Sequence, residues 1–104
     1  MAAIMLLLSD VNLLAQPQTR VRFRRGSTQA SISGKLTGFV KRTFVVRAGA
    51  GQNLTADLTS GNTGVRFGDN GTSLNYDTQE GDNYVYIIND GRATTTFTLT
   101  ITIR

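Results

Sequence analysis

The chain has 104 residues, of which 39% are apolar and 17% charged, with a net charge of +4; this is the length of one domain and enough apolar side chain for one packed core. It contains no Cys and no His, which excludes disulfides, Cys/His metal centres, thiol nucleophiles and His-assisted triads. The charge is unevenly placed: residues 1–52 hold eight Lys/Arg against the single acid Asp10, and residues 53–104 hold three Arg against six acids, an asymmetry that marks an anion-facing patch unless the two halves interleave in the fold.

Met1-Ala2-Ala3-Ile4-Met5-Leu6-Leu7-Leu8 is apolar, Ser9-Asp10 interrupts it, and Val11-Asn12-Leu13-Leu14-Ala15 resumes before Pro17. Residues 1–15 read as a signal peptide ending near Ala15 or as an apolar N-terminal segment, an amphipathic helix packed on or beside the domain. The run departs from an ordinary leader in that no basic residue precedes Arg20 and Leu13 stands where a small residue belongs. It is too short for a bilayer-spanning helix, which needs about 20 residues. Residues 16–104 then form the domain.

After Pro17 the pattern is strand and turn. Arg20-Val21-Arg22-Phe23-Arg24 alternates, with Val21 and Phe23 on one face and three arginines on the other. Ala30, Ile32, Gly34 and Leu36 keep period two, Phe39 through Arg47 is a longer apolar run, and Leu54, Ala56 and Leu58 alternate with Thr55, Asp57 and Thr59. Val65 and Phe67 make a short strand between Gly61-Asn62 and Gly68-Asp69-Asn70-Gly71. Tyr84-Val85-Tyr86-Ile87-Ile88 has the composition of a central strand. In the last strand Phe97, Leu99, Ile101 and Ile103 face inward, and Thr96, Thr98, Thr100 and Thr102 outward. These are the seven or eight short strands of an all-β, antiparallel, jelly-roll-like β-sandwich. Parallel pairing is not expected, since the chain shows no crossover helix. Asp90-Gly91 within Asn89-Asp90-Gly91-Arg92 predicts a tight hairpin, with the last two strands hydrogen-bonded to each other and Arg92 near its tip.

The order of these pieces resembles a known family. Arg20-Val21-Arg22-Phe23, Gly26, Ile32-Ser33-Gly34, Gly38, Phe44-Val45-Val46-Arg47-Ala48, Ala50-Gly51-Gln52-Asn53-Leu54, Gly81-Asp82-Asn83-Tyr84 and Phe97-Thr98-Leu99-Thr100-Ile101 are similar to the bacterial pre-peptidase C-terminal type of β-sandwich, in particular to the branch that includes the periplasmic inhibitors of g-type lysozyme. The similarity spans residues 20–103. It implies a secreted or periplasmic, non-catalytic module that sits beside secreted enzymes or acts alone by placing a loop in a lysozyme cleft. The inhibitor branch has a longer, arginine-rich final loop, whereas residues 89–92 offer one arginine.

The candidate chemistry is sparse. Asp77, Glu80 and Asp82 share a polar loop, and a carboxylate pair such as Asp77 and Glu80 serves glycoside hydrolysis when held about 5–10 Å apart; with no pocket signal they read as exposed turn acids. Asp69, Asn70, Asp82 and Asn83 supply oxygens of the kind calcium takes, but the spacing matches no calcium loop and turn chemistry accounts for them. Arg20, Arg22 and Arg24 repeat at about 6.5–7 Å along one strand face, near the charge spacing of a polyanion. No aromatic residue interleaves to stack bases, which disfavours nucleic acid, and charge on an edge strand also prevents sheet-to-sheet pairing.

The reading is therefore a binding protein without cofactor or metal, acting at the cell envelope on a protein or an anionic envelope polymer. The alternative is a proteinaceous inhibitor of a secreted hydrolase such as g-type lysozyme. Candidate partner-binding residues are Asn89, Asp90 and Arg92 in the last loop and Arg20, Arg22 and Arg24 in the first strand.

Overall fold

The computed structural model describes residues 18–61, 64–68 and 71–104. The N-terminal segment 1–15, read as leader or apolar helix, and Asp69 and Asn70 of the calcium reading lie outside them. The described residues form eight strands: β1 (Gln18–Arg20), β2 (Gln29–Leu36), β3 (Lys41–Ala48), β4 (Asn53–Ser60), β5 (Val65–Phe67), β6 (Ser73–Asp77), β7 (Gly81–Asn89) and β8 (Thr95–Ile103). Odd-numbered strands make one sheet, in the order β1-β3-β7-β5, and even-numbered strands the other, β2-β8-β4-β6. Each strand is thus followed by one in the opposite sheet, as in a jelly roll.

Period-two alternation decides what lies between the sheets. In β8 Phe97, Leu99 and Ile101 are 2%, 0% and 0% exposed, and the intervening threonines face out. From β4 come Leu54, Ala56 and Leu58, from β5 Val65 and Phe67, and from β7 Val85 and Ile87, all buried. Phe44 of β3 meets Phe97 of β8 edge to face, with ring centroids 6.2 Å apart, and so joins the two sheets at the middle of the core. Burying a side chain of this size contributes about 1.5–3 kcal/mol.

Three expectations change. First, the alternating segment 20–24 is not one strand. β1 ends at Arg20, and after the Val21 N–H donates to the Val45 carbonyl at 2.9 Å the chain leaves the sheet. Burial nevertheless follows the alternation, with Val21 buried, Phe23 half-buried and Arg22 and Arg24 exposed. Second, β1 pairs with β3 in parallel, with Gln18, Thr19 and Arg20 opposite Thr43, Phe44 and Val45. A parallel pair needs a long crossover, and β2 with its flanking loops, running through the other sheet, supplies it without a helix.

Third, residues 89–92 do not close a hairpin. β7 bonds to β3 and β5, and β8 to β2 and β4. A type I′ hairpin turn needs positive φ at both central residues, and neither Asp90 nor Gly91 is among the residues with positive φ. Asp-Gly here turns the chain from one sheet to the other.

Candidate functional site

Strand ends gather loops at the two ends of the sandwich, and the candidate residues divide between them. The first end carries residues 21–28, 49–52 and 78–81. There Arg20 donates through both terminal nitrogens to the two carboxylate oxygens of Asp82, each at 3.1 Å. The hydrogen bond from Arg20, more than the Coulomb attraction, holds the Asp82 carboxyl below its ordinary value. This pair joins β1 to β7 across β3 and removes Arg20 from the proposed anion stripe. Arg22 and Arg24 remain exposed beyond the sheet, so the three arginines do not form one periodic row.

The acids and amides of this end serve the fold. The Asn83 side chain is buried; it donates to the carbonyls of Gln79 and Gly81 at 3.1 and 3.2 Å and accepts the Gln79 N–H at 3.0 Å. With Asp82 paired to Arg20, the 82–83 half of the calcium reading is occupied by turn bonding. Asp77 and Glu80 are exposed, and no group of three or more acids fit to hold a metal occurs among the described residues.

The second end is built around Asn89. Its side chain is fully buried, and its Nδ2 donates to the carbonyls of Leu36 and Ala93, both at 2.9 Å, while its Oδ1 accepts the Gly91 N–H at 2.9 Å. Its backbone carbonyl accepts the Phe39 N–H at 2.8 Å and its N–H donates to the Val40 carbonyl at 3.1 Å. One asparagine thereby fixes residues 37–40 against residues 89–93. Its side chain is a buried scaffold for the loops. Asp90 pairs with Arg66 of β5 and anchors its N–H on the Gly64 carbonyl at 2.9 Å. Gly38 lies so close to the Arg92 backbone that a Cβ on it would sit 2.1 Å from that carbonyl oxygen. Of the candidate residues at this end, Arg92 alone is exposed without an ion pair among the described residues, as Arg22 and Arg24 are at the other end.

Beside it stands Phe39, whose place at the head of an apolar run predicts the start of a strand but which lies in the turn before β3. It is 70% exposed with φ of 62°, a left-handed backbone that a bulky side chain adopts at a cost of about 1–3 kcal/mol. Phe39 is thus an aromatic residue exposed to solvent near the exposed Arg92, on loops held from beneath by the buried Asn89. Period-two reading hid it, because Phe39 precedes a genuine apolar strand and nothing local distinguishes it from one more core residue.

A third feature lies on the flank. Tyr76, Tyr84 and Tyr86, from β6 and β7, converge with Phe67, Gly68, Leu74 and Val85 around an open cavity of about 230 Å³. Burial raises the Tyr76 phenol above its ordinary value.

No protein-family model matches the chain, and no curated protein does. Among solved structures, PliG of Aeromonas hydrophila, a periplasmic inhibitor of g-type lysozyme, superposes with a TM-score of 0.71 at 17% identity, over 86% of this chain and 98% of its own. This chain has the fold of that inhibitor. PliG of Salmonella Typhimurium gives 0.70 at 16% identity, over 86% of this chain and all of its own. A mutant of the Escherichia coli inhibitor gives 0.63 at 18% identity, again over 86% and 100%. The likeness thus covers most of this chain and all or nearly all of each solved chain.

Proposed function

We propose that this chain is a secreted or periplasmic, non-catalytic protein that inhibits a wall-cleaving hydrolase of the g-type lysozyme class. The observation that carries this reading is the shared fold, which extends over the full length of inhibitors of that enzyme. The second end of the sandwich supplies a fitting surface: Phe39 fills an apolar subsite, and Arg92 sets a guanidinium against the carboxylates that glycoside hydrolysis requires. Rigid loops matter here because an inhibitor that is already ordered loses little entropy on binding. The broader role of envelope binding module is contained in this proposal, and the inhibitor reading stands ahead of it.

The test is a cell-wall lysis assay with g-type lysozyme and increasing amounts of the full chain. Slowed lysis is expected, weakened about tenfold or more by Phe39→Ala or Arg92→Ala, since truncating a buried anchor commonly costs about 2 kcal/mol. Unchanged lysis at micromolar protein overturns the proposal.

A further inference from the structure

The first end of the sandwich holds a cavity between two loops whose positions are fixed. Gly26 has φ of 80° and the Ser27 N–H donates to the Arg24 carbonyl at 2.8 Å, so residues 24–27 form a turn whose third place needs positive φ. The Ile103 N–H donates to the Thr28 carbonyl at 2.9 Å, which ties this turn to the end of β8. On the other loop the Gly49 N–H donates to Gln52 Oε1 at 2.7 Å, and the Gln52 N–H donates to the Thr78 hydroxyl at 3.1 Å. The first of these bonds requires the amide oxygen, which leaves Nε2 on the other side of the carboxamide, where it donates to no described residue.

Phe23, Ser27, Thr28, Arg47, Gln52 and Ile103 line this cavity, which is open and about 250 Å³ in volume. Ile103 is buried and Phe23 is half-buried against the core, so part of the lining is apolar. The polar part offers donors. The Arg47 guanidinium is exposed and in no ion pair, and Gln52 Nε2 and the Thr28 hydroxyl make no hydrogen bond, among the described residues. The acids are otherwise placed. Asp82, opposite Arg47 in the register of β3 and β7, accepts from Arg20 on both carboxylate oxygens, and Arg47 acts on it by Coulomb attraction alone. Glu80 is exposed on the 78–81 loop, with an oxygen 4.0 Å from where a Cβ on Gly49 would lie, and does not line the cavity. Asp69, outside the described residues, adjoins Gly68 next to β5, at the opposite edge of the sheet from β1. Arg22, Arg24 and Arg25 are exposed on the 21–28 loop beside Arg47, and Asp10, the one acid of residues 1–52, is too little charge to balance them.

We propose that this cavity binds a small organic anion, a carboxylate on an apolar body, with the carboxylate on Arg47, Gln52 Nε2 and Thr28 and the body against Phe23 and Ile103. A guanidinium presents its N–H groups in a planar fork that matches two carboxylate oxygens, and the two neutral donors orient the group without adding charge. With one cation in the lining, a singly charged carboxylate is matched better than a phosphate monoester, which carries about −1.5 to −2 at neutral pH. The volume lies below the roughly 300–1,000 Å³ of sites for drug-sized ligands, so the body is about one ring or a short acyl chain. Arg22, Arg24 and Arg25 raise the local concentration of anions through their field. The site is at the end opposite Phe39 and Arg92, so it stands whether or not the chain inhibits a lysozyme.

The experiment is a titration of phenylacetate into the isotope-labelled full chain, followed by amide NMR, beside phenylacetamide, which lacks the charge, and acetate, which lacks the ring. With phenylacetate, shifts are expected at Ser27, Thr28, Arg47, Gln52 and Ile103, and the other two should bind at least about tenfold more weakly. Arg47→Gln should weaken phenylacetate binding about tenfold or more, Thr28→Val should weaken it to a lesser degree, and Glu80→Gln should leave it equal or tighter. Phenylacetamide bound as well as phenylacetate would make the site an apolar hollow, and acetate bound as well would make it a surface arginine; either overturns the proposal. So do absent shifts at tens of millimolar phenylacetate, shifts centred on Phe39 and Arg92, or undiminished binding by folded Arg47→Gln. If Arg47→Gln does not fold, Thr28→Val decides, and undiminished binding by it overturns the proposal.

Discussion

Single side chains set the loop end of this molecule, and Asn89 sets most of it. Its amide joins three backbone groups from two connections, so Asn89→Ala leaves the Leu36 and Ala93 carbonyls without that donor inside the protein. The expected loss is about 1–3 kcal/mol, read as a lower denaturant midpoint with an unchanged slope. Phe39 has the opposite character. Phe39→Gly relieves the left-handed backbone and should leave stability equal or slightly higher, while weakening lysozyme inhibition. A joint fall in melting temperature and inhibition would mean that the ring packs on the protein rather than waiting for a partner. Leu99, at 0% exposure in the middle of β8, belongs to the core proper, and Leu99→Ala should cost about 2–5 kcal/mol in the same denaturation experiment.

Among the elements, β1 is held least. It has three residues and one neighbour, β3, and it is tied down by the Val21 N–H bond, by Arg20 to Asp82 and by the Arg42 guanidinium, whose Nη2 donates to the Thr19 hydroxyl at 3.1 Å. Arg42 faces inward from β3 against the rings of Phe44 and Phe97, 5.2 and 5.7 Å from their centroids, so cation–π contact substitutes for an acid. The Asp82 pairing makes the hold pH-dependent. Its carboxyl has a lower pKa folded than unfolded, so the pairing stabilises above the unfolded value of 3.8 and is lost as pH falls through the folded one. Amide exchange at Thr19 and Val21 should therefore accelerate on acidification below about pH 4 relative to the β8 amides, and Asp82→Asn should abolish that difference. Both partners are substantially solvated, which keeps the effect on global stability small.

At the scale of the whole molecule, the alternation of strands between sheets means that most contacts are between residues distant in sequence. Folding by such non-local pairing is slow, and the core is drawn from residues 21–103. A fragment of residues 18–104 should accordingly melt cooperatively at a temperature close to that of the full chain. A lost transition in the fragment, retained in the full chain, would place residues 1–17 in the core. The asymmetry of charge between the two halves of the sequence has less consequence than it suggests, because interleaved strands bring Arg20 onto Asp82 from opposite halves.

The inward faces of β4, β5, β7 and β8 were legible from the sequence because a side chain's face in an extended strand is a local property, repeating every second residue. The number of strands and the sandwich class followed from that alternation and from the spacing of turn residues. The motifs that carry the family resemblance, Ala50-Gly51-Gln52 and Gly81-Asp82-Asn83, prove to be turn scaffolds: the Gln52 side chain accepts the Gly49 N–H at 2.7 Å and Asn83 holds residues 79–81. They speak to fold rather than to function for that reason. What the sequence could not determine was which strands are neighbours. Residues 89–92 look like a hairpin because Asp-Gly tolerates one, yet the competition between partners for β7 and β8 is settled by burying two sheet faces against each other. The same packing brings Phe39 beside Arg92 and draws Arg20 out of its stripe onto Asp82. Each is a meeting of residues far apart in the chain, and no local periodicity encodes such a meeting.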